Sequence, residues 1–263
     1  MVKIFRKIRQ KLAAENLPAR QAGSVAKYLR YAIGEIILVV IGILIALQVN
    51  NWNEQRKQRA NELHYLSNLK SDLNLNIAEI DRYITTRNSR TTSAQIVLEY
   101  FKGKPLTDLD EFNRNAVNVY TWQKFFQIDN TFQELMNSGN FTIISSDSIK
   151  NGLLNLETLY KKLKYEEEHF RYDSEVMLYE PAYGIIDINT QVKNFMYQVT
   201  NGQQGEHVKL SKVDFEALLK NRKHKNGFAM ATYEFPFMNT ELGEMKTLCK
   251  KIISLIDKEL TKG

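Results

Sequence analysis

AIGEIILVVIGILIALQV, residues 32–49, carries one ionisable side chain, Glu35, in eighteen residues. At about 1.5 Å of rise per residue, a helix of that length spans roughly 27 Å, the thickness of a bilayer's hydrocarbon core. Within it, Ile36–Leu47 is wholly apolar. A run of that length also suits a buried helix of a water-soluble fold, so the flanks decide the reading. Tyr28 and Tyr31 stand at one end and Trp52 at the other, where amphipathic rings favour the headgroup layer. The stretch reads as a transmembrane helix.

Charge gives the orientation. Residues 1–31 hold eight basic residues, Lys3, Arg6, Lys7, Arg9, Lys11, Arg20, Lys27 and Arg30, against one acid, Glu15; Arg56, Lys57 and Arg59 follow the span. The excess places the N-terminus in the cytoplasm and residues 50–263 outside. Some thirty residues precede the apolar run, too many for the short basic start of a cleaved leader. Ala46-Leu47-Gln48 lacks the small final residue of a cleavage site, so an uncleaved signal anchor is expected. The expected domains are a basic cytoplasmic segment (1–31), a transmembrane helix (32–49) and an outer domain (50–263).

Inside the span, Glu35 lies about one turn from the cytoplasmic edge. It can extend toward Lys27 or Arg30, or meet a buried partner. Gly42 and Ala46 form a small-xxx-small pair that admits a second helix, hence a homo-oligomer or a membrane partner. Ile4, Phe5, Ile8 and Leu12 recur at helical spacing among basic residues, the pattern of an amphipathic helix lying on an anionic lipid bilayer.

The net charge of +6 invites a nucleic-acid reading, but residues 1–31 account for +7 and the remainder sums to −1. A duplex binder carries its positive charge on the folded surface, so nucleic acid is excluded as a partner. Cys249 is the only cysteine, which rules out an intramolecular disulfide. Low Pro and Gly content favours helices over a turn-rich β fold.

The outer part reads as all-α. Leu63, Leu66, Leu73, Ile77, Ile80 and Ile84 form one apolar stripe on a helix reaching about Phe101, where Gly103 and Pro105 break it. Asp108 or Asp110 caps a short helix to about Tyr120, and a further helix, Thr131–Ser138, stops at Gly139. An extended FTII (141–144) follows. Ser145 or Ser146 caps a long helix with the stripe Ile149, Leu153, Leu156, Tyr160, Leu163 and Phe170, ended by Pro181 and Gly184. Residues 181–210 are the least regular, with turns at Asn201-Gly202 and Gly205. Ser211 opens a short helix, and Asn226-Gly227 makes a turn. The last helix buries Leu242, Met245, Cys249, Ile252 and Ile256, with Pro236 at its start or at a kink. An antiparallel helical bundle is the economical way to bury such stripes.

Chemistry-bearing motifs are sparse. Glu166-Glu167-Glu168-His169 contains one Glu-x-x-His, whereas a di-iron bundle needs two, so the run reads as a solvated acidic face. His64, His169, His207 and His224 have no metal-ligand spacing. NGQQGEH lacks the Lys-Ser/Thr of a phosphate loop, and no Gly-x-Ser-x-Gly elbow occurs. Cys249 falls on an apolar stripe, as a buried hydrophobe does. VYTWQKFF and TYEFPF read as core or loop packing. No catalytic, cofactor-binding or metal residues are expected, and no cofactor.

The block KYLRYAIGEIILVVIGILIALQVNNWNE, residues 27–54, resembles the N-terminal signature of a Bacteroidota membrane-protein family known only as a domain of unknown function. TFQELMNSGNFTIISSDSIKNGLLNLETLYKK, residues 131–162, is similar to a second part of that family's pattern. The resemblance implies an inner-membrane anchor with a helix-rich periplasmic domain, and it brings no activity. The leading expectation is a non-enzymatic module that binds an envelope protein partner. Alternatives are a sensor-like module signalling through a partner helix, or an enzyme with a scattered site. The residues expected to matter for membrane contact and helix packing are Tyr28, Tyr31, Glu35, Gly42, Ala46 and Trp52.

Overall fold

The computed structural model describes residues 24–262, and the expected amphipathic segment around Ile4–Leu12 lies outside them. The described residues are all-helical and contain no strand. The helices are α1 (Ser24–Phe101), α2 (Leu109–Tyr120), α3 (Asn130–Asn137), α4 (Asp147–Ser174), α5 (Glu180–Tyr183), α6 (Ile188–Val199), α7 (Lys212–Leu219) and α8 (Arg222–Leu260). The chain divides into two units, with the boundary between Arg59 and Ala60.

In the first unit, α1 is long and apolar enough to cross a membrane, and none of its most apolar window is buried. Ile36, Ile37, Val39, Val40, Ile43, Leu44 and Leu47 are all exposed. A buried core helix would have covered them.

In the second unit, α1 buries Glu62, Leu66, Leu69, Leu73, Asn76, Ile80, Tyr83, Arg87, Arg90, Ala94 and Val97 along one seam, with Ser93 and Tyr100 buried beside it. The seam positions alternate at intervals of four and three, a strict seven-residue repeat that keeps one seam on one side. Half of the expected stripe, Leu66, Leu73 and Ile80, lies on this seam, while Leu63, Ile77 and Ile84 are half-buried at its edge. The seam mixes polar with apolar residues, so apolar recurrence marks only part of it.

Long helices pair in antiparallel fashion. On the α1–α8 side, Lys70 meets Asp257 at 2.6 Å, and Asn239 donates to Asn88 Oδ1 at 2.9 Å. On the α4–α8 side, Lys162 meets Glu241 at 2.9 Å and the Phe170 and Phe235 rings lie 4.9 Å apart. Gly152 lets α4 approach Ile252, since a Cβ there would lie 2.8 Å from its Cγ1. α2 packs against α6 through polar contacts: Asn113 donates to the Gln191 carbonyl at 2.9 Å and to Asn194 Oδ1 at 3.0 Å. Each such bond replaces water lost on burial.

Caps form where the sequence places them. Ser146 accepts from Ile149 N–H, Asp108 from Glu111 N–H and Ser211 from Asp214 N–H. Gly139 is left-handed at φ 73°. Three expectations are corrected, and for Pro236 one of two alternatives is excluded. Residues Asn140–Ile143 wind into a 3-10 turn rather than an extended piece, closed by Ile144 N–H on the Phe141 carbonyl; no neighbouring strand pairs with them. Within 181–210, Ile188–Val199 is helical, capped by Asp187 on the Asn189 and Thr190 N–H groups. Pro236 lies inside α8, which does not begin there, because Phe235 and Met238 on either side are fully buried and hold the helix to the core.

Asn226-Gly227 is likewise helical, and its glycine answers to a close approach. Pro181 has no N–H to give the carbonyl four residues back, and the chain ahead of it widens into a π turn, Glu175–Tyr179, with Glu180 N–H bonded to the Glu175 carbonyl. The wide turn presses Leu178 against α8, and a Cβ at Gly227 would stand 2.5 Å from Leu178 Cδ2 and 3.1 Å from the Met177 carbonyl carbon. Gly227→Ala is therefore expected to cost about 1–3 kcal/mol in chemical denaturation, as overpacked cores do. Gly243, in the same helix with nothing within 4 Å, is the control: Gly243→Ala should stabilise by about 0.5–1 kcal/mol.

Candidate functional site

Three regions carry side chains whose placement core packing alone does not explain. The first is the apolar segment of α1. Tyr28, Tyr31 and Trp52 are exposed at its ends, and the Arg56 guanidinium lies 5.8 Å from the Trp52 ring centroid. Glu35 is exposed on the helix and makes no ion pair with Arg30; the Lys27 side chain lies outside what is described. Gly42 and Ala46 lie on the same helix, with open space where a Cβ of Gly42 would stand.

The second region is the irregular segment Thr121–Asp129, the strap, which joins α2 to α3. A loop lying along a core must find partners for the backbone groups it turns inward. Here α1 supplies them in reverse order along the chain. Asp72 accepts from Thr131 N–H at 2.9 Å, just past the strap. Asn76 takes both backbone groups of Ile128, at 2.6 and 2.8 Å. Tyr83 donates to the Lys124 carbonyl at 2.8 Å, and Arg90 to the Thr121 carbonyl at 2.6 Å and the Asn118 carbonyl at 3.1 Å. Those last carbonyls end α2, where the helix dipole is negative, so a cation belongs there. Burial, then the neighbouring Arg87, lowers the Arg90 pKa to about 10.

Arg87 and Glu167 form an ion pair with each side chain only 1% exposed. Glu167 also accepts from Phe125 N–H at 2.9 Å, which fastens the strap to α4. Burial raises the Glu167 pKa, against the pull of Arg87. Arg87 Nε and Nη1 make no hydrogen bond, and the guanidinium lies 5.7 Å from the Tyr83 ring centroid. The acidic run is thus not wholly a solvated face: its middle member is a core residue. The signal was present in the sequence, since Asn76, Tyr83, Arg87 and Arg90 continue the four-three spacing of Leu66, Leu69 and Leu73.

The third region is the outer edge of the α4–α8 contact, where Glu166, His169 and Asp173 on α4 face Glu234 on α8. His169 Nδ1 is 3.8 Å from Asp173. Among the described residues, no group of His, Cys, Asp and Glu is placed to hold a metal ion.

Two nucleophile or base candidates are occupied by packing. Cys249 is fully buried, and burial pushes its thiol up to about 12. His224 is fully buried under the π turn, with Nε2 2.9 Å from the Tyr120 hydroxyl. Burial lowers its pKa to about 4, with the Met177 and Leu178 backbone acting the other way.

The model of a family of unknown function, DUF6090, matches residues 35–181, more than half of the chain, from Glu35 in the apolar segment to Pro181 behind the π turn. No curated protein and no solved structure matches the chain.

Arg87→Met leaves Glu167 buried and uncompensated, and should cost about 3–5 kcal/mol of unfolding free energy. Adding Glu167→Gln, which keeps an acceptor for Phe125 N–H, should recover part of that loss; no recovery in denaturant titrations would show that the pair is not coupled. His224 is neutral when folded and takes a proton on unfolding near its ordinary value of 6.5, so its contribution is complete above that pH. It is lost as pH falls toward about 4. The loss should approach about 3 kcal/mol, and His224→Gln should flatten stability against pH over that window.

Proposed function

The chain belongs to the DUF6090 family, and from that premise we propose that it is a single-pass inner-membrane protein whose helical unit binds an envelope partner in the periplasm. The carrying observation is the unburied apolar window of α1, bounded by Tyr28, Tyr31 and Trp52. In water so much exposed apolar surface would drive aggregation; in hydrocarbon it is matched to its solvent. The basic excess of residues 1–31 supports a cytoplasmic N-terminus, a span over 32–49 and a periplasmic domain from residue 50.

For the unit beyond Arg59, a helical bundle of α1, α4 and α8 accounts for the antiparallel contacts at Lys70–Asp257 and Lys162–Glu241. The binding role is supported by Cys249 and His224 on α8 being committed to the core, where neither meets a substrate.

A phosphatase reporter that is active only in the periplasm should be active when fused after Asn53 and after Gly263. A cytosolic signal from both fusions overturns the topology. Val40→Lys with Leu44→Lys, at about 2.5–3.5 kcal/mol each near the centre of a span, should release the chain from washed membranes. Cross-linking in cells should capture an envelope protein on residues 60–262; recovery of the chain alone defeats the binding role.

A further inference from the structure

A cavity of about 530 Å³ lies between α1, α2 and α6. Small-molecule sites span about 300–1,000 Å³, so its size suits a ligand larger than an inorganic ion. Phe195 and Val199 of α6 form an apolar wall, and every other residue lining it is polar. On the α1 side the hydroxyls are arranged unlike their neighbours. Thr85, Thr86, Thr91 and Thr92 each donate to the carbonyl four residues back, at 2.8 to 3.2 Å. Ser89 and Ser93 instead accept from the Asn118 amide, at 3.3 and 2.9 Å, and each keeps a proton to donate. Ser93 is only 7% exposed, so its donor has the cavity before it.

The α2 side supplies an acceptor and a charge. Asn115, also 7% exposed, gives its amide to the Glu111 carbonyl at 2.8 Å, while its oxygen makes no hydrogen bond among the described residues. That oxygen is not sealed in protein either, and opens onto the cavity that the residue lines. Polar groups so deeply placed are normally satisfied. Arg114 lines the same cavity and makes no hydrogen bond or ion pair among the described residues. Glu111, the acid on which Arg114 acts electrostatically, is already bonded to Lys104 at 2.7 Å and to the Tyr100 hydroxyl.

We propose that this cavity binds a short oligosaccharide bearing a carboxylate. The planar guanidinium of Arg114 takes the carboxylate through paired N–H donors. Sugar hydroxyls, each both donor and acceptor, meet the serine protons and the Asn115 oxygen, and the C–H face of one ring covers Phe195. No acid lines the cavity, so an amino acid, a polyamine or a divalent metal would find no counter-charge there. A lipid chain would leave the polar lining unbonded. This inference goes beyond the binding of an envelope protein and rests neither on that role nor on the membrane span.

The test is calorimetric titration of the full chain, in a polyoxyethylene detergent that carries no sugar, with trimers of galacturonate and of mannuronate. Saturable binding of at least one trimer is expected, with maltotriose and sodium acetate each far weaker. Arg114 is exposed, so Arg114→Gln keeps the fold; it should weaken binding about tenfold, the worth of one charge-assisted hydrogen bond. Arg114→Lys should restore part of the loss. Thr92→Trp, also from an exposed position, fills the cavity and should abolish binding at an unchanged melting temperature. No saturable heat with either trimer overturns the proposal, as does an unchanged titration for Arg114→Gln or Thr92→Trp. Equal binding of maltotriose removes the carboxylate from recognition and equal binding of acetate removes the sugar; either result overturns it too.

Discussion

The second unit depends on one constraint: Thr121–Asp129 lies along the core with Phe125 buried and no secondary structure of its own, and the backbone groups it turns inward must be bonded. Sheets and helices satisfy their own polar groups; this segment cannot. Asn76, Tyr83 and Arg90 act as a ladder of side chains along α1, and Glu167 reaches the same segment from α4. Without the ladder the segment between α2 and α3 loses its backbone partners, although Phe112, Val119, Phe132 and Leu135 still pack the two helices into the core. The buried Arg87–Glu167 pair belongs to this arrangement. Its desolvation costs more than a pair of apolar residues would, and through Glu167 it joins α1, the strap and α4 at one point.

This also explains why the sequence was legible in some places and not in others. The helix ends at Phe101, Tyr120 and Tyr183 and the caps at Asp108, Ser146 and Ser211 follow local chemistry, because a cap needs only the residues within one turn of it. The solvent-facing apolar run of α1 is equally local. By contrast, Gly227 reads as a turn to any local rule, and only the π turn just ahead of Pro181, almost fifty residues earlier, makes it a contact glycine. Glu167 reads as one acid among three, and only its partner on α1 brings it inside. The polar seam positions were visible as a repeat but not as a buried one, since arginine at a core position contradicts the usual preference.

The family match reaches from the apolar segment through the strap and both partners of the buried pair, and stops at Pro181. It therefore holds the ladder, while α8, which covers the stripes of α1 and α4, lies beyond it. The charged edge is made by both parts: Glu166, His169 and Asp173 fall within the match and Glu234 outside it.

The seven-residue spacing of Glu62 through Val97 has a further consequence for how this helix tolerates change in length. Each residue added or removed turns everything downstream by about 100°, so a single deletion between Leu66 and Asn76 would swing Tyr83, Arg87 and Arg90 away from the carbonyls they hold. A step of seven brings them back to within about 20° of the same bearing, and even this shifts the ladder along the strap by two turns. α1 is in this sense a ruler for the strap, fixed in tick marks rather than in composition. Conservative exchanges at its outward positions should be absorbed, whereas frame-preserving indels should not.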